Sequence, residues 1–202
     1  MKLWTIQPRS VYELIQDTGV YRCETEKSSF LDEEDPSSRP FYAAYTWMVS
    51  QMEKRIGMRP YGVTYPVWAW YRYEGMERPD IRKERWINGS PGQEFACILL
   101  EIPDNEVLLS DFGEWHHVLN RWPVTNTEAE SIRADEYLER LPWGKQQKCL
   151  EKNWEKIFDT RQKDNGWARR GYDIQATFWE LRKEYITGVK FFTCGLRKND
   201  AQ

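Results

Sequence analysis

The stretch YPVWAWYRYEG, Tyr65 to Gly75, decides the fold of this chain. After Pro66 the run Val67 to Tyr73 alternates Trp68 and Trp70 against Val67, Ala69 and Tyr71, the two-residue period of a β-strand made of aromatic and β-branched residues. Both faces carry apolar bulk, so both must be covered, which puts the strand inside a sheet. A second run, FACILLEI from Phe95 to Ile102, is ended by Pro103 and Asp104 and predicts the central strand of that sheet. The chain holds 11 tryptophans in 202 residues, and indole combines the largest apolar side chain with a single N–H donor. Such density means either an aromatic core or a flat-sided pocket for a planar ligand, and composition does not separate the two.

Working outward, residues 2–7, KLWTIQ, predict a short strand ended by Pro8, and Ser10 followed by Glu13 has the spacing of a capping box for a helix reaching Asp17 and stopped by Gly19. Val20 to Cys23 reads as another short strand. Residues 24–39 are polar, acidic and proline-punctuated, and predict a flexible exposed loop. Tyr45, Met48, Val49, Met52 and Ile56 recur at helical spacing from Phe41 to Ile56. Glu77 to Gly92 reads as a charged connector. Beyond a short apolar stretch at Glu106 to Leu109, Asp111 is placed to cap a helix carrying Trp115, Val118, Leu119 and Trp122. Helices at Thr127 to Leu141 and Lys145 to Phe158 follow, then a strand at Tyr172 to Trp179, a turn or helix at Leu181 to Gly188, and a final strand, VKFFTC. The expected fold is α+β: one domain over residues 1–202, with a central mixed or antiparallel sheet and several packed helices.

Charge and composition narrow the function classes. With a formal net charge of -3 the chain lacks the basic excess that duplex nucleic acid demands. No apolar run approaches the roughly 20 residues needed to cross a bilayer, and the amino terminus lacks the apolar stretch of a secretory signal, so a cytoplasmic protein without a membrane partner is expected. Cys23, Cys97, Cys149 and Cys194 have no paired spacing, which predicts reduced thiols, with Cys97 and Cys194 acting as small apolar residues in strands. His116 and His117 are adjacent on a helix, about 100° apart, and cannot chelate a metal from one face. No nucleophile elbow, glycine-rich phosphate loop or Walker lysine is present.

What remains is a set of polar residues attached to aromatic strands: Thr5 beside Trp4, Arg72 in WAWYRYE, and Gln175, Thr177 and Glu180 around IQATFWEL. Alternation sends Ile174, Ala176 and Phe178 one way and Gln175, Thr177 and Trp179 the other. The second face mixes polar and aromatic groups, as a ligand cleft does. Taken singly, a polar residue on a strand more often faces solvent and a tryptophan more often fills a core; only their combination points to a cleft.

Taken together, LWTIQ, YPVWAWYRYEG, EIPDNEVLLSDF and IQATFWEL resemble an uncharacterised bacterial family classed as a domain of unknown function. LWTIQ with the helix to Gly19, and IQATFWELRKEYITGVKFF, are also similar to the first and last elements of the ADP-ribosyltransferase-like superfamily. That second resemblance implies a split sheet binding NAD or a related nucleotide, with transfer of ADP-ribose to an unidentified acceptor. It implies that Thr5 helps hold the nicotinamide carboxamide, that an aromatic residue such as Tyr21 or Trp70 stacks on the ring, and that Gln175 opens the late motif, with Trp4, Arg72, Thr177 and Trp179 as further candidates for binding the cofactor. Two departures stand out. Trp4 replaces a hydrogen-bonding residue, and Thr177 stands where a catalytic Glu is expected, which leaves Glu180 as the carboxylate if the chain turns after Trp179. The alternative is a non-enzymatic module whose aromatic surface engages a protein or a single-stranded nucleic acid.

Overall fold

The computed structural model describes residues 1–23 and 39–195, with the side chains of Arg39, Pro40 and Ile87 left aside. Its sheet is built from β1 (Lys2–Pro8), β3 (Val67–Arg72), β4 (Glu94–Glu101), β5 (Leu108–Asp111), β8 (Ile174–Phe178) and β10 (Ile186–Thr193). They lie in the order β10-β4-β1-β3-β8-β5, and every pairing is antiparallel. The two runs singled out in the sequence, β3 and β4, flank β1 at the middle of the sheet. Two short ladders complete the strands: β2 (Val20–Tyr21) with β9 (Leu181–Arg182), and β6 (Lys163–Asp164) with β7 (Arg169–Arg170).

Register assigns the faces. Leu3 lies opposite Leu100, Ala69 opposite Ala176 and Val67 opposite Phe178, and all six join one core cluster with Ile98 and Leu181. Helix α1 (Arg9–Thr18) covers this face with the fully buried Ile15, and ends where Gly19 turns left-handed at φ 84°, its N–H donating to the Ile15 carbonyl. The opposite face is covered in two parts. Over β8 and β5 lie α2 (Arg39–Ile56), α4 (Phe112–Leu119) and α6 (Trp143–Trp154), which contribute Met48, Met52, Trp115, Val118, Leu150 and Trp154 to a second cluster with Leu108. Over β1 and β4 a smaller cluster of Trp4, Cys97, Phe192 and Cys194 packs against Trp70, Tyr73 and Ile81. An acidic helix, α5 (Glu128–Glu139), lies outside with no buried residue. No helix among the described residues is long and apolar enough to cross a membrane.

The α+β class and the antiparallel sheet follow the expectation; several local readings change. Helix α1 begins at Arg9 because Pro8, with φ -51°, sits at the N-cap, so Ser10 is inside the first turn and the expected capping box does not form. Arg9 instead donates to Glu13 at 2.9 Å. The connector from Glu77 holds a short helix, α3 (Ile81–Ile87), whose N-cap Asp80 accepts from the Arg82 N–H at 3.1 Å. Trp122 is not a helix-packing residue: α4 stops at Leu119, Arg121 takes a left-handed φ of 58°, and Trp122 is 57% exposed. Leu181 to Gly188 is neither a plain turn nor a helix, but β9, a 3-10 turn at Lys183–Tyr185 and the start of β10. The loop expected at 24–39 lies outside the described residues except for Arg39, which opens α2. Cys97 and Cys194 are buried and free, and burial pushes the Cys97 thiol up to about 12.

Candidate functional site: a cleft where two central strands part

Strands β1 and β4 pair along their whole length, from Lys2 opposite Glu101 to Pro8 opposite Phe95. Between β1 and β3, by contrast, the ladder holds only at Trp4 opposite Trp70. Beyond that pair the strands part, and polar side chains occupy the gap. The Thr5 hydroxyl donates to the Trp68 carbonyl at 3.0 Å, and the Gln7 amide donates to Thr5 Oγ1 at 2.9 Å. A side chain thereby satisfies a carbonyl that has lost its ladder partner, as a parted backbone requires.

The parting opens a cavity of about 300 Å³ lined by Thr5, Gln7, Trp68, Trp70, Tyr73, Glu84, Asn88 and Gln175, among others. Trp70 and Tyr73 have ring centroids 4.7 Å apart, and Phe112 meets the edge of Trp70 at 5.1 Å. Trp68 is held from behind by Trp115 at 5.1 Å and Tyr45 at 5.9 Å, so that wall is rigid. The polar groups are less complete. The Trp68 indole N–H and the Gln175 Oε1 are buried without a hydrogen-bond partner. Burial of an unpaired donor or acceptor costs about 1–3 kcal/mol, which a ligand supplying the missing partner recovers.

Glu84 brings the only carboxylate among the residues lining this cavity. It is 6% exposed, and its Oε2 accepts from the Asn88 amide at 2.7 Å. Desolvation raises its pKa above the ordinary carboxylate value, partly opposed by that Asn88 bond. Helix α3 positions it: the Asp80 cap starts the helix, and residues 84 and 88 fall one turn apart. The sequence reading passed over both residues as part of a charged connector. The signals that would have found them are Asp80 as a cap and the i, i+4 spacing of Glu84 and Asn88.

The expected site residues divide. Thr5, Trp70 and Gln175 line one cavity, with Trp4 beside them as the cross-strand partner of Trp70. Thr177 shares the face of Gln175 but is fully buried deeper in the sheet, where its hydroxyl donates to the Leu108 carbonyl at 3.2 Å. Trp179 lies beyond the strand end over α2, its indole donating to the Gly57 carbonyl at 3.1 Å. Arg72 follows a bulge in β3 and is spent on the Gly171 carbonyl at 2.9 Å and Glu77 at 3.0 Å. Tyr21 packs against the core of the opposite face. Glu180 also lies away from Gln175: it follows the end of β8 at Phe178, and its carboxylate is held by Arg22 at 2.7 Å and Arg182 at 3.2 Å. Among the described residues no group of three or more His, Cys, Asp or Glu side chains is placed to hold a metal ion.

Fold and cleft together define an α+β domain with a central antiparallel sheet that splits between two strands over an aromatic, partly polar cavity. The chain belongs to the family described as Domain of unknown function (DUF3841), whose model matches residues 2–187, so both strands of the split and the whole cleft lie within the family's common region. Neither the curated proteins nor the solved structures contain a match to this chain.

Proposed function

We propose that the cleft binds the nicotinamide end of NAD or a related nucleotide. The observation that carries this reading is the pair of unpartnered groups on the cavity's lining residues, the Trp68 N–H and the Gln175 Oε1. A carboxamide has one acceptor and two donors and complements both, while its planar ring suits the faces of Trp70 and Tyr73. At about 300 Å³ the space fits one heterocycle with its sugar, and leaves the rest of a dinucleotide outside.

Glu84 extends the reading to chemistry. In ADP-ribose transfer the bond from ribose C1′ to the nicotinamide nitrogen breaks, its electron pair leaves with nicotinamide, and an acceptor or water oxygen bonds C1′ and gives up its proton. A carboxylate at the cleft stabilises the positive charge that develops on the ribose and takes that proton. Glu84, not Glu180, is the carboxylate in position for this role. Titrating NAD and free nicotinamide against tryptophan fluorescence tests binding, with nicotinamide release as the assay for transfer. Saturable quenching by both ligands, weakened about tenfold in Gln175→Ala, is expected; folded protein that responds to neither overturns the reading.

A second reading, a non-enzymatic module that engages a protein partner, draws on the exposed Trp122 and Trp143, 57% and 67% accessible, the latter beneath the Arg121 guanidinium at 4.0 Å. Binding of a protein partner that survives Gln175→Ala and is lost in Trp143→Ala would favour it.

A further inference from the structure

A second and larger cavity, of about 440 Å³, opens at the other end of β1, lined by Lys2, Trp4, Glu77, Arg78, Pro79, Leu99, Glu101, Thr187 and Lys190 among others. We infer that it is a binding site for a small amphipathic anion, an acidic head on an apolar chain, separate from the nucleotide cleft. Three observations converge on that chemistry.

The first is charge. Arg78 and Lys190 are exposed at its rim, and among the described residues neither has an ion-pair partner. Lys2 stands opposite Glu101 in the ladder, and Glu77 is engaged by Arg72 at 3.0 Å, so the uncompensated charge of the rim is positive. The second is the floor. Leu99 sits opposite Trp4 across the ladder on the face that carries Cys97 and Phe192, and it stays only partly buried. Opposite it in β10 stands Gly188, whose missing side chain leaves Leu99 open: a Cβ there would lie 3.4 Å from Leu99 Cδ1. The third is an orphaned donor. Trp4 is 2% exposed, lines this cavity, and keeps its indole N–H without a partner.

A buried donor and two unpaired cations select an acceptor-bearing anion, and the bare Leu99 floor selects an apolar body next to it. A purely inorganic anion would leave that floor wet; a neutral lipid would leave Arg78 and Lys190 unanswered. The site is distinct from the nucleotide cleft because no residue lines both, so the two proposals fail independently.

Calorimetric titration of the full chain with sodium decanoate, decan-1-ol and decylammonium chloride, repeated on Arg78→Glu and Lys190→Glu, tests the inference. Saturable decanoate binding, at least about tenfold tighter than decan-1-ol and weakened about tenfold by either substitution, is expected from the loss of a charged hydrogen-bond partner. Both positions are exposed, so both variants should fold, as circular dichroism would verify. Trp4→Phe, which keeps the ring and removes the donor, should weaken decanoate by a smaller factor. Equal affinity for the three probes, indifference to both charge reversals, or no saturable binding at millimolar concentration overturns the site. Competition between decanoate and NAD would overturn its separateness.

Discussion

The two halves of the sheet's tryptophan-bearing face differ in what covers them. Over β8 and β5, three helices close on Trp47, Trp115 and Trp154; Trp154 is 1% exposed, meets Trp47 edge-on at 5.6 Å and donates its indole N–H to the Trp122 carbonyl at 2.8 Å. Over β1 and β3 the cover is a single short helix, the strands part, and Trp68 and Trp70, packed on one side by other rings, border open space on the other. The same residue type is therefore core in one half and wall in the other. What decides is not the tryptophan but whether a helix long enough to seal it lies above; the indole N–H does not decide, since the Trp47 donor in the sealed half is unpartnered like that of Trp68.

Truncation should split the halves most sharply. Trp154→Ala removes a fully buried indole with its hydrogen bond and is expected to cost about 3–5 kcal/mol, read as a fall in the urea midpoint. Trp70→Ala, at a half-exposed wall, should cost about 2 kcal/mol or less while abolishing the fluorescence response to NAD. Equal losses from the two would break the comparison.

The helical half also holds the most enclosed ion pair among the described residues. Arg170 and Glu114 are 4% and 6% exposed, and Arg170 donates further to the Asn126 side chain at 3.0 Å and the Thr125 carbonyl at 2.7 Å. Arg170→Met strands the Glu114 carboxylate in a closed setting, and a loss of about 3–5 kcal/mol in chemical denaturation is expected. Breaking surface pairs such as Arg9 with Glu13 should change stability far less, because solvent screens them.

These contrasts also explain what was legible in the sequence. β3 and β4 could be read because strand alternation and an uninterrupted apolar run are local patterns, and the face shared by Trp4, Trp70 and Gln175 follows from the same period. The parting of β1 from β3 could not be read, because nothing in LWTIQP signals that pairing ends after Trp4; that depends on how two strands 60 residues apart diverge. Glu84 was missed for a related reason. In sequence it is one acid among the charges of Glu77 to Gly92, and only the docking of α3 over Trp4 and Trp70 turns it inward. Glu180 is close to the IQATF strand in sequence, yet β8 ends at Phe178 and beyond it the Glu180 carboxylate is drawn onto Arg22 and Arg182.

A smaller effect sharpens the comparison at the ligand. Gln175→Ala removes the unpartnered acceptor and should weaken NAD about tenfold, or 1.4 kcal/mol, in the fluorescence titration. Its effect on unfolding should stay under about 1 kcal/mol, because Gln175 Oε1 makes no hydrogen bond whose loss would be felt.

The smallest expected change in stability belongs to Glu84, and its sign is the informative part. Burial raises its folded-state pKa above the ordinary value of about 4.3, so the folded protein favours the protonated form. The stabilisation from that proton is fully present below the unfolded pKa and is lost as pH rises through the folded one, leaving an ionised carboxylate in a poorly solvated site at neutral pH. Glu84→Gln keeps the shape and the acceptor for Asn88 but cannot ionise. Its stability relative to the native chain should therefore rise as pH increases from about 4 to 7, in urea titrations at fixed salt, while nicotinamide release at neutral pH falls. A structural carboxylate would lose stability on this substitution, whereas one held at a cleft for its charge gains stability and loses activity together. Opposite movement of the two readouts separates these roles even if each is small.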